Sequence, residues 1–89
     1  MKIAVIGTGY VGLVTGTCLA ENGNDVLCVD IDKNKVKQMK AGVVPIYEPH
    51  LDVLFERNIK AGRLNFTTNL KEGLDFGEVI FLALPTPEN

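Results

Sequence analysis

The hexapeptide Gly7-Thr8-Gly9-Tyr10-Val11-Gly12 (G-x-G-x-x-G) constrains this chain most, because of what stands on either side of it. Upstream, residues 2–6 (KIAVI) form a short β-branched run that suits a strand buried on both faces of a parallel sheet. Downstream, Val11, Val14, Thr15, Cys18 and Leu19 recur at the spacing of a helix face, and Gly23 supplies a left-handed stop. A glycine turn between strand and helix has three physical tasks. The first glycine permits the tight turn, the second lets the backbone come close to a pyrophosphate, and the third lets helix and strand pack closely. Amides near Tyr10 and Val11 then point at phosphate oxygens, helped by the positive end of the helix dipole.

Strand and helix signals alternate along the rest of the chain. Residues 26–29 are a second apolar run closed by Asp30, and Asp32 is placed to cap a Lys-rich helix over 33–41 whose apolar side is Val36 and Met39. After a connector at 43–49, Pro49 opens a helix with Leu51, Leu54, Phe55 and Ile59 as its stripe, ended by Gly62. Residues 64–67 read as a third strand, Asn69 with Glu72 as a capping-box variant, and 78–84 (EVIFLAL) as a fourth strand stopped by Pro85 and Pro87. This alternation predicts an α/β fold with a Rossmann-type parallel sheet in the order 3-2-1-4. The fourth strand would then be a bare apolar edge, a pairing hazard that further strands normally cover. The expectation is a truncated domain: residues 1–89 are the N-terminal portion of a dinucleotide-binding domain.

Asp30 makes the glycine turn specific. It lies at the end of strand two, 18 residues past Gly12, where a carboxylate can accept both hydroxyls of an adenosine ribose and repel a 2′-phosphate. The expected cofactor is therefore NAD rather than NADP.

Composition narrows the remaining classes. With 89 residues, 46% apolar and 22% charged, the chain is at most one small domain of ordinary soluble character. A net charge of -2 offers no electrostatic case for nucleic acid or an anionic membrane. No apolar run approaches the roughly 20 residues of a membrane span, and no signal peptide is read. Cys18 and Cys28 have no metal-ligand spacing, which fits free thiols in a reducing cytoplasm; both are expected in the core. His50 is read as a surface residue without chemistry.

With these pieces in place, the chain closely resembles the bacterial UDP-glucose 6-dehydrogenase family. The matching segments are MKIAVIGTGYVGLVTG at 1–16, CLAENGNDVLCVDID at 18–32, PIYEP at 45–49, RNIKAGRLNFTTNL at 57–70 and PTP at 85–87. The resemblance implies that Gly7, Gly9, Tyr10, Val11 and Gly12 hold the pyrophosphate, with Val11 as a backbone contact, and that Asp30 holds the adenosine ribose. It implies that Lys35 contacts the same end of NAD, although spacing alone equally allows a solvated lysine. It places Thr86 beside the cofactor, where the residues alone allow a rigid strand-terminating turn. Tyr47 and Glu48 read only as a loop, and His50 stands where the family commonly has Gly.

The resemblance further implies oxidation of the C6 alcohol of UDP-glucose to the acid with two NAD reduced, in a cytoplasmic homodimer. A Cys nucleophile passing through thiohemiacetal and thioester, with Lys, Asn and Asp assisting, would carry that chemistry. Those residues, the UDP-sugar site and the dimerisation domain are expected beyond position 89, so no catalytic residue and no metal ligand is assigned here. Two alternatives remain at this point. One is a sister dehydrogenase of UDP-N-acetylmannosamine or GDP-mannose, and the other is a non-catalytic NAD-sensing Rossmann module.

Overall fold

The fold is described from a computed structural model, in which residues 1–43 and 50–83 are described. Four parallel strands form one sheet: β1 (Lys2–Ile6), β2 (Asp25–Val29), β3 (Leu64–Thr67) and β4 (Val79–Leu82). Their order is β3-β2-β1-β4, the order the sequence predicts. The register sets Val5 beside Cys28 and Ile6 beside both Val29 and Leu82, so the carboxyl ends of β1, β2 and β4 finish level. Among the described residues four helices accompany the sheet: α1 (Tyr10–Glu21), α2 (Lys33–Lys40), α3 (Leu51–Lys60) and α4 (Leu70–Phe76).

The two faces of the sheet are covered differently. Ile3, Val5, Val26, Cys28, Leu64 and Phe66 point to one side and form a core with Leu13 and Ala20 of α1, Val36 and Met39 of α2, and Phe55 of α3. The Phe55 and Phe66 rings lie 5.5 Å apart, tilted by 39°. Burying a side chain of this size contributes roughly 1.5–3 kcal/mol, so this pair is a main attachment of α3 to β3. On the other side Ala4, Ile6 and Val29 form a small cluster beneath α4. Helix α4 comes so close that a Cβ at Gly73 would lie 2.4 Å from Val29. All four residues of β4 are exposed, which makes it the open apolar edge the pattern predicts.

The Asp32 and Asn69 caps form, whereas α3 begins at Leu51 with His50 as its N-cap and not at Pro49. The Asp32 side chain accepts from the amides of Asn34 and Lys35 at the head of α2. Asn69 accepts from the Glu72 amide, but the Glu72 carboxylate bonds the Thr67 hydroxyl instead of returning to the Asn69 amide. That amide donates to Thr67 Oγ1, so the box closes through the last residue of β3.

The face of α1 needs correction. The sequence stripe was Val11, Val14, Thr15, Cys18 and Leu19, yet the buried residues are Gly12, Leu13, Gly16, Thr17 and Ala20. Val11 and Cys18 are exposed. The helix lies almost on the strands: a Cβ at Gly16 would meet Cys28 Sγ at 3.0 Å. Only small residues fit that approach, so size and not hydropathy selects the buried face. Cys28 is fully buried as expected, and burial pushes its thiol up to about 12.

Candidate functional site

The site is built where β1 and β2 end. Gly7 follows Ile6 at a φ of 101°, a conformation that a side chain would strain, and turns the chain toward α1. Gly9 is the N-cap of α1, with no side-chain capping bond and no acidic residue in the first turn. The positive end of the helix is therefore left without a protein carboxylate at this cap. A Cβ at Gly9 would meet nothing within 4 Å, so the second glycine faces open space. At Gly12 the opposite holds, because a Cβ there would lie 2.1 Å from the Gly7 carbonyl oxygen and 2.9 Å from Ala83 Cβ. One glycine is open to a ligand and the other is closed by packing.

A cavity of about 440 Å³ lies beside this turn, lined by Gly7, Thr8, Gly9, Asp30 and Lys35 with an apolar wall that includes Ile31 and Leu70. The cavity thus gathers five polar or backbone positions from the β1–α1 turn, the end of β2 and α2. Tyr10 and Val11 are exposed on the first turn of α1, and Gly12 is buried behind it. Thr86, Tyr47 and Glu48 lie outside the described residues.

Asp30 is the charged centre. Its Oδ2 accepts from the Thr8 amide at 3.2 Å and from the Thr8 hydroxyl, while its Oδ1 accepts from the Asp32 amide at 2.9 Å. The Lys35 ammonium stands 3.6 Å from Oδ2. Burial pushes the Asp30 carboxyl up. The Thr8 hydroxyl, the Asp32 amide, Lys35 and the Thr8 amide outweigh it and hold the carboxyl below its usual range. Asp30 is therefore an anion at neutral pH, half-tied to the glycine turn.

Sequence reasoning passed over Thr8, a variable position of the motif, although its side chain is 1% exposed and touches the charged residue directly. It also passed over Ile31, which stands 90% exposed between two aspartates at the mouth of the cavity. The only sequence signal for Ile31 is an apolar residue isolated in Asp-Ile-Asp. Among the described residues no cluster of His, Cys, Asp or Glu could hold a metal, and no helix is long and apolar enough to cross a membrane.

The arrangement suits a dinucleotide. An open glycine and a helix amino terminus can take a diphosphate, an anchored carboxylate can take ribose hydroxyls, and an apolar wall can take a base. The two described thiols offer no nucleophile at this place. Cys28 is buried with its thiol held protonated. Burial does not exclude Cys18, but it lies eight residues down α1 from Tyr10, about 12 Å from the turn at the rise of an α-helix.

Comparison with known proteins gives a consistent picture. The model of the UDP-glucose/GDP-mannose dehydrogenase family, NAD binding domain, matches residues 1–89. A UDP-glucose 6-dehydrogenase of Bacillus subtilis is 54% identical over 86 residues, which are 97% of this chain and 19% of that protein. A UDP-glucose 6-dehydrogenase of Rhizobium meliloti is 52% identical over 98% of this chain and 20% of its own length. Among solved structures, a GDP-mannose dehydrogenase ternary complex from Pseudomonas aeruginosa matches with a TM-score of 0.95 and 36% identity, over 100% of this chain and 20% of that one. The chain thus spans about a fifth of the length of these relatives.

Proposed function

This chain belongs to the UDP-glucose/GDP-mannose dehydrogenase family, and from that premise we propose that it is the N-terminal portion of the NAD-binding domain of an enzyme that oxidises UDP-glucose to UDP-glucuronate. The observation that carries this reading is the convergence of the glycine turn, Asp30 and Lys35 on one cavity at the carboxyl ends of β1 and β2. In this reading Gly7, Gly9, Tyr10, Val11 and Gly12 form the pyrophosphate turn, Asp30 holds the adenosine ribose, Lys35 contacts the same end of the cofactor, and the family resemblance assigns Thr86 to the same cofactor. NAD, when bound, supplies the hydride acceptor. This chain's own residues bind and orient it, and the oxidising centre, the sugar site and the dimer interface belong to other segments. The overall reaction removes four electrons from the C6 alcohol, reduces two NAD and takes its second oxygen from water. Free thiols at Cys18 and Cys28 fit a reducing cytoplasm, and the homodimer is proposed from the family resemblance alone.

Glucose as the sugar is supported by identities of 54% and 52% to UDP-glucose 6-dehydrogenases. The TM-score of 0.95 to the GDP-mannose enzyme favours a second reading, in which the same half-site serves a different nucleotide sugar. The cofactor half is tested by calorimetric titration of the chain with NAD and NADP alongside Asp30→Ala. NAD binding that the substitution abolishes, with NADP weaker throughout, supports the assignment; equal binding of both nucleotides by both forms removes it. The sugar half is tested by assaying NAD reduction by the complete enzyme with UDP-glucose, UDP-N-acetylmannosamine and GDP-mannose in turn.

A further inference from the structure

The tie between Thr8 and Asp30 goes beyond what a glycine-rich turn requires. Position 8 is a variable position in G-x-G-x-x-G, and any residue there except proline could donate its backbone amide. Here the hydroxyl donates as well, to the same carboxylate oxygen. The side chain is buried, so this bond is shielded from competing water. A carboxylate has roughly four acceptor positions. On Asp30 the two Thr8 bonds occupy Oδ2, and the Asp32 amide takes one position on Oδ1. Oδ1 is thereby the oxygen left open toward a ligand, with Lys35 standing on the Oδ2 side.

We propose that Thr8 is a positioning residue for adenosine-ribose recognition, anchoring one oxygen of Asp30 so that the other faces the ribose and the carboxylate cannot swing away from a 2′-phosphate. The proposal rests on the NAD reading above and deepens it. The anchor has two consequences. It joins the turn that would hold the pyrophosphate to the group that would hold the ribose, so the two halves of the cofactor meet a preset spacing. It also fixes a negative charge where NADP would carry its extra phosphate, which a mobile carboxylate could vacate. Preorganisation of this kind acts on discrimination more than on general affinity.

The test uses the 89-residue chain with Thr8→Val, which keeps shape and removes the hydroxyl, and Thr8→Ser, which restores it. Two readouts are followed by NMR: the titration midpoint of the Asp30 carboxyl carbon, and shifts on adding NAD or NADP. Thr8→Val is expected to raise the Asp30 midpoint, weaken NAD about tenfold and leave NADP within about twofold, while Thr8→Ser returns both values toward the parent. An unmoved midpoint with an unchanged NAD-to-NADP ratio in Thr8→Val overturns the proposal. An equal loss for both nucleotides that Thr8→Ser does not rescue also overturns it, because that is the result of a merely structural role. A parent chain that shows no NAD shifts means that the site needs segments beyond residue 89, and it overturns ribose recognition by this half-site on its own. A midpoint that nonetheless moves in Thr8→Val would then mark the failure as the cofactor's and not the anchor's.

Discussion

A Cβ placed on Gly12 would lie 2.1 Å from the carbonyl oxygen of Gly7, so the last glycine of the turn is fixed by the first. Neither the Gly7 carbonyl nor the helix can move without opening the β1–α1 connection. Gly12→Ala is therefore expected to destabilise the chain by about 3 kcal/mol, the upper end of ordinary overpacking. A domain of this size has a total stability on the order of 5–10 kcal/mol, so the loss is a large share. Denaturant unfolding measures it. A change below about 1 kcal/mol would mean that the turn is more compliant than its geometry implies.

Gly9 is the functional counterpart. Its Cβ would meet nothing within 4 Å, so Gly9→Ala should unfold at the parent's denaturant midpoint. The added methyl would stand where a pyrophosphate must approach the backbone, and NAD affinity should fall about tenfold or more. Comparing the two variants by unfolding and by NAD titration separates folding glycine from binding glycine. Loss of stability in Gly9→Ala, or unchanged NAD binding, would reverse that division.

The strands and caps were legible because their signals are local. β1 is a bounded β-branched run, β3 falls between Gly62 and Asn69, and Asp32 caps α2 as its position suggests. The face of α1 was not legible from hydropathy. Val11, Leu13, Val14, Cys18, Leu19 and Ala20 surround the helix with apolar groups, so periodicity selects no single side. The signal that does select it is the stripe of small residues Gly12, Gly16 and Ala20, four apart, which a close helix–sheet contact demands. Within the candidate site the glycines and Asp30 were legible through their spacing. Thr8 was not, because its role depends on a partner 22 positions away that only the turn brings into reach.

The two thiols should differ sharply in reactivity. Cys18 is exposed on α1 and should react with a disulfide reagent while the chain is folded, whereas Cys28 should react only on unfolding. Burial raises the Cys28 thiol from its ordinary value of 9.0 to about 12. Between these values the unfolded chain loses a proton that the folded chain keeps, so stability falls as pH rises from about 9 to about 12. Cys28→Ala should flatten that alkaline decline even as it lowers stability at neutral pH. Equal labelling rates for both thiols in the native chain would refute the burial argument.

Asn58 shows a polar residue acting as core. It is fully buried, donates to Glu21 Oε1 at 2.9 Å and to the Leu54 carbonyl at 2.8 Å, and accepts from two nitrogens of Arg63. Arg63 Nε also donates to the Ala20 carbonyl, so the group closes the end of α1 against α3. Asn58→Ala should cost about 2–3 kcal/mol, since it strands partners that remain partly buried. The Asn58 hydrogen bond first, then Arg57 and Arg63, lower the Glu21 carboxyl against a desolvation that raises it. Such a carboxylate adds stability above its unfolded value and loses it as pH falls through the folded one. Asn58→Ala should therefore also weaken the acid dependence of unfolding as pH falls through and below the ordinary carboxylate range, and an unchanged acid limb would contradict the assigned bond.

His50 is the one described non-glycine residue with a left-handed backbone, at φ 73°, and it precedes α3 as an N-cap without a side-chain capping bond. An L-residue in this region costs roughly 1–2 kcal/mol relative to glycine. Glycine returns part of that gain through its larger freedom in the unfolded chain, about 0.4–1 kcal/mol. The net expectation for His50→Gly is a stabilisation of about 0.5–1 kcal/mol, or a rise in Tm of roughly 2–8 °C for a domain of this length. The chain turns left-handed before α3, and histidine does so under strain. His50→Ala supplies the control, because it removes the imidazole and keeps the Cβ, and it should show no such gain. A melting curve in which His50→Ala rises as far as His50→Gly would move the cause from the backbone to the side chain.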